Sequence, residues 1–91
     1  MQESTVSLLR ALKVDNVKQK GSFNAWNGDV IDYYVIETKQ CTLRFWNSSN
    51  KSGISDYVGV LETLRDKILD EETSGSFTDD YSWHEVMWEV I

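Results

Sequence analysis

The sequence predicts an α+β domain in which helices pack on one face of a three-stranded antiparallel sheet. Three observations carry this prediction: leucines at helical spacing near the start, an Asn27-Gly28 pair between strand-like segments, and an apolar stripe at helical spacing from Tyr57. The expected order is an N-terminal helix, three strands, an amphipathic acidic helix, and a C-terminal helix or strand. A chain of 91 residues fits a single domain, 1–91.

The first helix and the first turn have clear local signals. Leu8, Leu9 and Leu12 indicate a helix over about residues 4–14, for which Ser4 is a suitable N-cap. Asn27-Gly28 lies between aromatic and β-branched residues and suits the positive φ angles of a type I′ turn. It therefore predicts a hairpin.

The two segments after this turn read as further strands. Residues 30–37 are rich in Ile, Val and Tyr on both faces, which is typical of a central strand. Thr38-Lys39-Gln40 indicates a second turn, and residues 41–46 then alternate between apolar and polar side chains. A polar loop over residues 47–53 follows.

The second helix is expected over about residues 55–70, with Ser55 as its N-cap. Its apolar stripe consists of Tyr57, Val58, Leu61, Leu64 and Ile68. Residues 70–76 are acidic and rich in Ser and Gly, and predict a flexible connection.

The tail, residues 81–91, fits two structures. A period of two gives a half-buried strand, whereas a period of 3.6 gives a helix with Trp83, Val86, Met87 and Val90 on one face. Ser82 and Glu85 also match a capping box. The helix is favoured, and the strand remains the alternative.

Charge is distributed very unevenly along the chain. Residues 56–91 hold ten of the fifteen carboxylates but only two of the nine Lys and Arg residues, Arg65 and Lys67. Like charges gathered in one region repel one another, and a basic partner would convert that repulsion into attraction.

An acidic stripe on the second helix is the candidate binding surface. Glu62, Asp66 and Asp70 lie four residues apart, so their carboxylates follow one line, and Asp70, Glu71 and Glu72 add negative charge where the helix dipole is already negative. Local rules tend to be broken at functional sites. The predicted partner-binding residues are Glu62, Asp66, Asp70, Glu71, Glu72, Asp79 and Asp80.

A simpler interpretation is that this face only keeps the protein in solution. Arg65 would then pair with Glu62, and Lys67 with Glu71. Asp79 and Asp80 would favour the start of a helical tail.

Catalytic and metal-binding patterns are weak in this sequence. Cys41 and His84 are the only cysteine and histidine, and they lie on different predicted elements. No pattern of metal ligands, phosphate-binding glycines or a nucleophile elbow is found. The sequence therefore predicts a protein that is not an enzyme and has no cofactor, and a small-molecule ligand is not expected.

Aromatic residues offer a rival interpretation. Trp26 and Trp46 are predicted on the sheet, with Lys18, Lys20, Lys39 and Arg44 nearby, and such a surface can stack single-stranded nucleic acid. A net charge of −6 argues against direct nucleic-acid binding. Most of these rings are expected in the core or in an interface.

In size, charge, element order and lack of catalytic motifs, the chain resembles the small acidic inhibitors that phages use against host defences, anti-CRISPR proteins above all. The resemblance implies a nucleic-acid mimic that occupies the DNA-binding cleft of a CRISPR nuclease. The chain resembles bacterial immunity proteins, which neutralise nuclease toxins, almost equally well. These inhibitors share no sequence motif, so no site residue can be assigned to this chain by comparison with them.

These features together predict an acidic inhibitor of a basic, nucleic-acid-handling protein. The alternative is an adaptor or assembly subunit with an aromatic interface. No signal peptide and no membrane span are seen, and one cysteine fits a reducing compartment, so a cytoplasmic location is expected, with expression by a phage in its host as one source.

Overall fold

Two α-helices and five β-strands form the described part of the chain, residues 2–48 and 53–91 of a computed structural model. In chain order they are α1 (Glu3–Ala11), β1 (Lys18–Asn24), β2 (Val30–Glu37), β3 (Thr42–Asn47), α2 (Tyr57–Leu69), β4 (Ser74–Thr78) and β5 (Glu85–Val90). A short 3-10 helix, Val14–Asn16, follows α1 where the first helix was expected to continue. The predicted α+β class is confirmed.

The strands form one antiparallel sheet in the order β1-β2-β3-β5-β4. The sheet therefore has five strands rather than the predicted three. β2 has a neighbour on each side, as expected of an inner strand, but the middle position belongs to β3. β5 comes last along the chain and lies inside the sheet, between β3 and β4.

Both additional strands come from segments for which other structures were expected. The favoured helix in the tail is wrong, because Val86 and Trp88 of β5 pair with β3 and place their side chains in the core. The flexible connection at 70–76 is wrong in its second half, because the backbone of β4 from Ser74 onward pairs with β5. Strand pairing decides both structures, and a local sequence pattern contains no information on the partner strand.

The predicted hairpin between β1 and β2 is confirmed, but its turn is not type I′. Gly28 alone in the turn has a positive φ, 89°, and its N–H donates to the carbonyl of Ala25 at 2.9 Å. The N–H of Ala25 donates to the carbonyl of Asp29 at 2.7 Å. This pattern fits a three-residue loop with Trp26 and Asn27 in the turn and Gly28 in the left-handed position.

Both helices pack on one face of the sheet. Leu8 of α1 and its C-cap residue Leu12 meet four buried residues of α2 and the helix-facing side chains of β2, β3 and β5. The buried α2 residues are Val60, Leu61, Leu64 and Ile68. Val58, predicted in this stripe, is 60% exposed on the flank of α2.

The helices begin at other residues than expected. The N-cap of α1 is Gln2, with no side-chain bond, rather than Ser4. The N-cap of α2 is Asp56 rather than Ser55, and its carboxylate accepts from the N–H of Gly59 at 3.0 Å. Residues 49–52 of the predicted loop at 47–53 lie outside the described residues, while Asn47 is the last residue of β3.

The face of the sheet opposite the helices is covered by its own side chains. Arg44 lies 5.4 Å from the ring centres of both Tyr33 and Trp46, and it forms an ion pair with Glu89. The ring of Phe23 packs edge-on against Trp46 at 5.4 Å. As a result Val35, on the same face, is buried without a helix above it.

Candidate functional site

Three carboxylates lie along the solvent face of α2. The buried stripe of α2 fixes the rotation of the helix, which leaves Glu62, Asp66 and Asp70 on the opposite face, and all three are exposed. Four residues of helix rise by about 6 Å, so the three carboxylate positions cover about 12 Å along the axis. The predicted acidic line is thus present on the surface.

The end of α2 adds two more carboxylates through a tight cap. The N–H of Glu72 donates to the carbonyl of Lys67 at 3.1 Å, and the N–H of Glu71 donates to the carbonyl of Ile68 at 3.0 Å. These two bonds define a Schellman motif after the C-cap Asp70. Both Glu71 and Glu72 are exposed.

Glu71 occupies the position of this motif that normally holds glycine. Its φ is 64°, in the left-handed region where a side chain beyond Cα is disfavoured. Its charge also lies at the helix C-terminus, where the helix dipole favours cations. Glu71 is therefore unfavourable for the fold in both its backbone angle and its charge.

Asp79 and Asp80 are separated from the other acidic residues. They follow β4, whose five residues cover about 16 Å, so they lie at the opposite end of the sheet from Glu72. Asp80 is exposed, but Asp79 is only 5% exposed. The carboxylate of Asp79 accepts from the hydroxyl of Ser82 at 2.6 Å and from its N–H at 3.2 Å. Asp79 is thus a turn-forming residue whose carboxylate is buried, unlike the exposed contact that was predicted.

The cations nearest the acidic line do not neutralise it. Among the described residues, ion pairs form between Lys20 and Glu37 and between Arg44 and Glu89, so the pairs expected for Arg65 and Lys67 are absent. Arg65 instead lines a groove between the helices together with Arg10 and Lys13 of the α1 region. Lys67 lies 6.0 Å from the ring centre of Phe77.

Cys41 and His84 lie at opposite ends of the sheet, because each directly precedes one of the antiparallel strands β3 and β5. The Sγ atom of Cys41 is 3.9 Å from the carbonyl of Ser4, in the wall of a cleft of about 360 Å³. The Nδ1 atom of His84 is 2.8 Å from the side-chain nitrogen of buried Asn47. The geometry offers no Cys–His pair. No cluster of three metal-ligating side chains occurs in residues 2–48 and 53–91.

The tryptophans have different environments. Trp88 is 2% exposed in the core, and Trp46 is half-buried beneath Arg44 and Phe23. Trp26 lies in the β1–β2 turn rather than in a strand and is 98% exposed. Among the residues proposed for an aromatic interface, only Trp26 is fully available.

Two further exposed aromatic residues were missed in the sequence. Tyr81 and Trp83 lie in the turn between β4 and β5 and are 80% and 81% exposed. Trp83 has a φ of 62°, which is unusual for a large side chain. The signal in the sequence was Asp79-Asp80-Tyr81-Ser82, since Asp and Ser are frequent turn residues. The expectation of a helical tail obscured it.

Neither α1 nor α2 has the length and hydrophobicity of a membrane-spanning helix, and the described residues contain no other α-helix. Comparisons with protein-family models, with curated proteins and with solved structures gave no match to this chain.

Proposed function

We propose that this protein is an acidic inhibitor that binds the basic, nucleic-acid-handling surface of another protein. The contact residues in this proposal are the exposed carboxylates of the α2 surface: Glu62, Asp66, Asp70, Glu71 and Glu72. Asp80 is exposed at the opposite end of the sheet and lies outside this patch. The observation that carries the proposal is the left-handed backbone conformation of Glu71.

Glu71 supports a role in binding because it opposes folding in two ways. A glycine at φ 64° would avoid the left-handed backbone penalty, and an uncharged residue would avoid the unfavourable helix dipole. The Schellman motif requires the left-handed backbone at residue 71 but not a charged side chain there, and residues strained in this way cluster at functional sites. A cationic surface on a partner would offset the charge part of this cost.

The geometry of the α2 surface suits a partner that normally binds a phosphate backbone. The carboxylates of Glu62, Asp66 and the C-cap Asp70 repeat at about 6 Å along the axis of α2 and are not paired with cations in the described residues. Proteins that bind nucleic acids do so largely through Lys and Arg contacts to phosphates. A groove that binds a phosphate backbone through Lys and Arg would also accept a rigid line of carboxylates.

Two partner classes fit this chemistry: a CRISPR nuclease, with the protein as a phage anti-defence factor, and a nuclease toxin, with the protein as its immunity partner. Either would be met in the cytoplasm. The proposed inhibition occurs by occupying the partner's surface, so it requires neither catalysis nor a cofactor.

The decisive experiment separates binding from stability. Purified CRISPR nucleases and nuclease toxins are tested for binding and for inhibited DNA cleavage with the wild type, Glu71→Gly and the double variant Asp66→Asn/Asp70→Asn. Glu71→Gly is expected to stabilise the free protein by about 1 kcal/mol, since it relieves the left-handed strain, while weakening binding. Affinity should fall as salt is raised.

Asp15→Asn is the matched control, because Asp15 is an exposed carboxylate outside the α2 surface. It should leave both stability and binding unchanged. Binding that ignores salt and both acidic variants would contradict the proposal. An adaptor that uses an aromatic surface predicts that pattern, with its losses at Trp26 or Trp46 instead.

A further inference from the structure

Three exposed aromatic side chains gather at one end of the sheet. Trp26 lies in the β1–β2 turn, and Tyr81 and Trp83 lie in the β4–β5 turn. The antiparallel order β1-β2-β3-β5-β4 places both turns at the same end. With strands about 4.8 Å apart, the centres of the two turns are separated by about 14 Å across the sheet. We name Trp26, Tyr81 and Trp83 the aromatic edge.

The β4–β5 turn holds Trp83 outward through hydrogen bonds within the turn. The N–H of Trp83 donates to the carbonyl of Asp79 at 2.7 Å, and the N–H of Asp79 donates to the carbonyl of His84 at 2.8 Å. The buried carboxylate of Asp79 binds Ser82. These hydrogen bonds order the turn, and the ordered turn holds the ring of Trp83 in its exposed position.

Trp83 also adopts a backbone angle that a large residue avoids. At φ 62° glycine or asparagine would be less strained, and a polar residue would be better hydrated than a ring that is 81% exposed. The fold gains little packing from a ring that is so exposed. Tryptophan and tyrosine are enriched among the residues that dominate binding energy in protein interfaces.

The charge around the aromatic edge selects the chemistry of its partner. Asp29, Asp56, Asp80 and Glu85 lie at the same end, in or beside the loops and turns. The described residues of that end, 24–31, 47–48, 53–57 and 78–86, include no Lys or Arg. Aromatic faces attract cations, and nearby carboxylates strengthen that attraction.

We propose that the aromatic edge binds a segment or surface of a partner protein that is rich in arginine and lysine. Guanidinium groups would stack on Trp26 and Trp83 while the neighbouring carboxylates accept their hydrogen bonds. Nucleic acid is a poor occupant, since these carboxylates would repel phosphates. The partner class rests on the proposed function, but the contact uses residues separate from the α2 surface.

The test uses defined peptides as probes. Binding of deca-arginine, deca-lysine and a neutral Gly-Ser peptide of about the same length is measured by calorimetry. The variant Trp26→Ala/Trp83→Gly removes both rings without removing core packing, and glycine relieves the positive φ of Trp83, so the fold is retained. Deca-arginine should bind more tightly than deca-lysine, and the variant should lose about fivefold or more in affinity for it.

Asp66→Asn/Asp70→Asn in the same assay distinguishes the two surfaces. Weakening by the aromatic variant, with little change in the α2 variant, supports the aromatic edge. Weakening by the α2 variant alone overturns the aromatic edge and leaves the proposed function standing. No saturable binding of deca-arginine, or preferential binding of a poly-dT oligonucleotide or of vesicles containing phosphatidylserine, also overturns it.

Discussion

At the scale of single residues, Asp79 and Asp80 show how neighbours of the same charge acquire different roles. The carboxylate of Asp79 is turned inward and closes the β4–β5 turn through Ser82, whereas Asp80 is exposed on the same turn. Removing Asp79 would leave the Ser82 donors without their acceptor.

Asp79→Ala is therefore expected to destabilise the protein by about 1–3 kcal/mol, while Asp80→Ala stays within about 0.5 kcal/mol of the wild type. Chemical denaturation of the two variants measures the difference. Equal effects of the two substitutions would show that the turn does not depend on the Asp79 carboxylate.

Tyr57 gives the protein a pH dependence at alkaline pH. Burial raises the pKa of Tyr57 to about 12, and a hydrogen bond with Tyr34 adds to the shift. Unfolded Tyr57 ionises near pH 10, whereas folded Tyr57 keeps its proton. Its contribution to stability is complete below about pH 10 and is lost as the pH rises toward 12.

The measurement is the free energy of unfolding across this pH range for the wild type and Tyr57→Phe. The variant should lose less stability between about pH 10 and 12, because phenylalanine has no proton to release. Parallel curves for the two proteins would contradict the assigned shift.

At the scale of elements, α2 couples the core to the candidate surface. The buried stripe that includes Leu61 sets the rotation of the helix, and this rotation places the carboxylates outward. Loosening a core contact of α2 would therefore disturb both the core packing and the position of the carboxylates.

Leu61→Ala is expected to cost about 2–5 kcal/mol, because it opens a cavity in the core. Val58→Ala is its control on the same helix, since Val58 is 60% exposed, and it should change stability by less than about 0.5 kcal/mol. Thermal unfolding compares the two, and similar losses would place Leu61 outside the core.

The same elements show what the sequence could predict. Helical spacing was sufficient for α1, for most of the buried face of α2 and for the exposed line from Glu62 to Asp70, since these depend on neighbours three or four residues away. On α2 it wrongly included Val58 and missed the fully buried Val60. β5 could not be distinguished from a helix, because Val86 and Trp88 are buried by pairing with β3, about 40 residues earlier along the chain. β4 contains Ser and Gly and has no apolar period to detect.

The site was predictable to the same extent. The exposure of Glu62, Asp66 and Asp70 follows from the helix. Asp79 and Ser82 indicate a turn, but the hydrogen bonds that bury the Asp79 carboxylate depend on the detailed geometry of that turn. The left-handed backbone of Glu71 was equally hidden, because a glycine would have been the usual signal there.

At the scale of the whole molecule, negative charge lies at both ends of the sheet along the direction of its strands. Glu71 and Glu72 follow the end of α2, while Asp80 lies at the aromatic edge. With a net charge of −6, the folded state carries uncompensated repulsion.

The melting temperature of the free protein should consequently rise between about 0.01 M and 0.15 M salt, as the Debye length falls from about 30 to 8 Å. Asp66→Asn/Asp70→Asn should show a smaller rise, because part of the repulsion is already removed. A melting temperature that falls over this range would contradict this electrostatic account.

The position of β5 inside the sheet also affects how the chain folds during synthesis. α1, β1, β2 and β3 leave the ribosome before β5, and β3 has no partner on its second side until residues 85–90 have been made. Until then the core lacks Val86 and Trp88, which belong to it in the finished fold. The sheet therefore closes late, and the nascent chain depends on a strand that arrives after most of its neighbours.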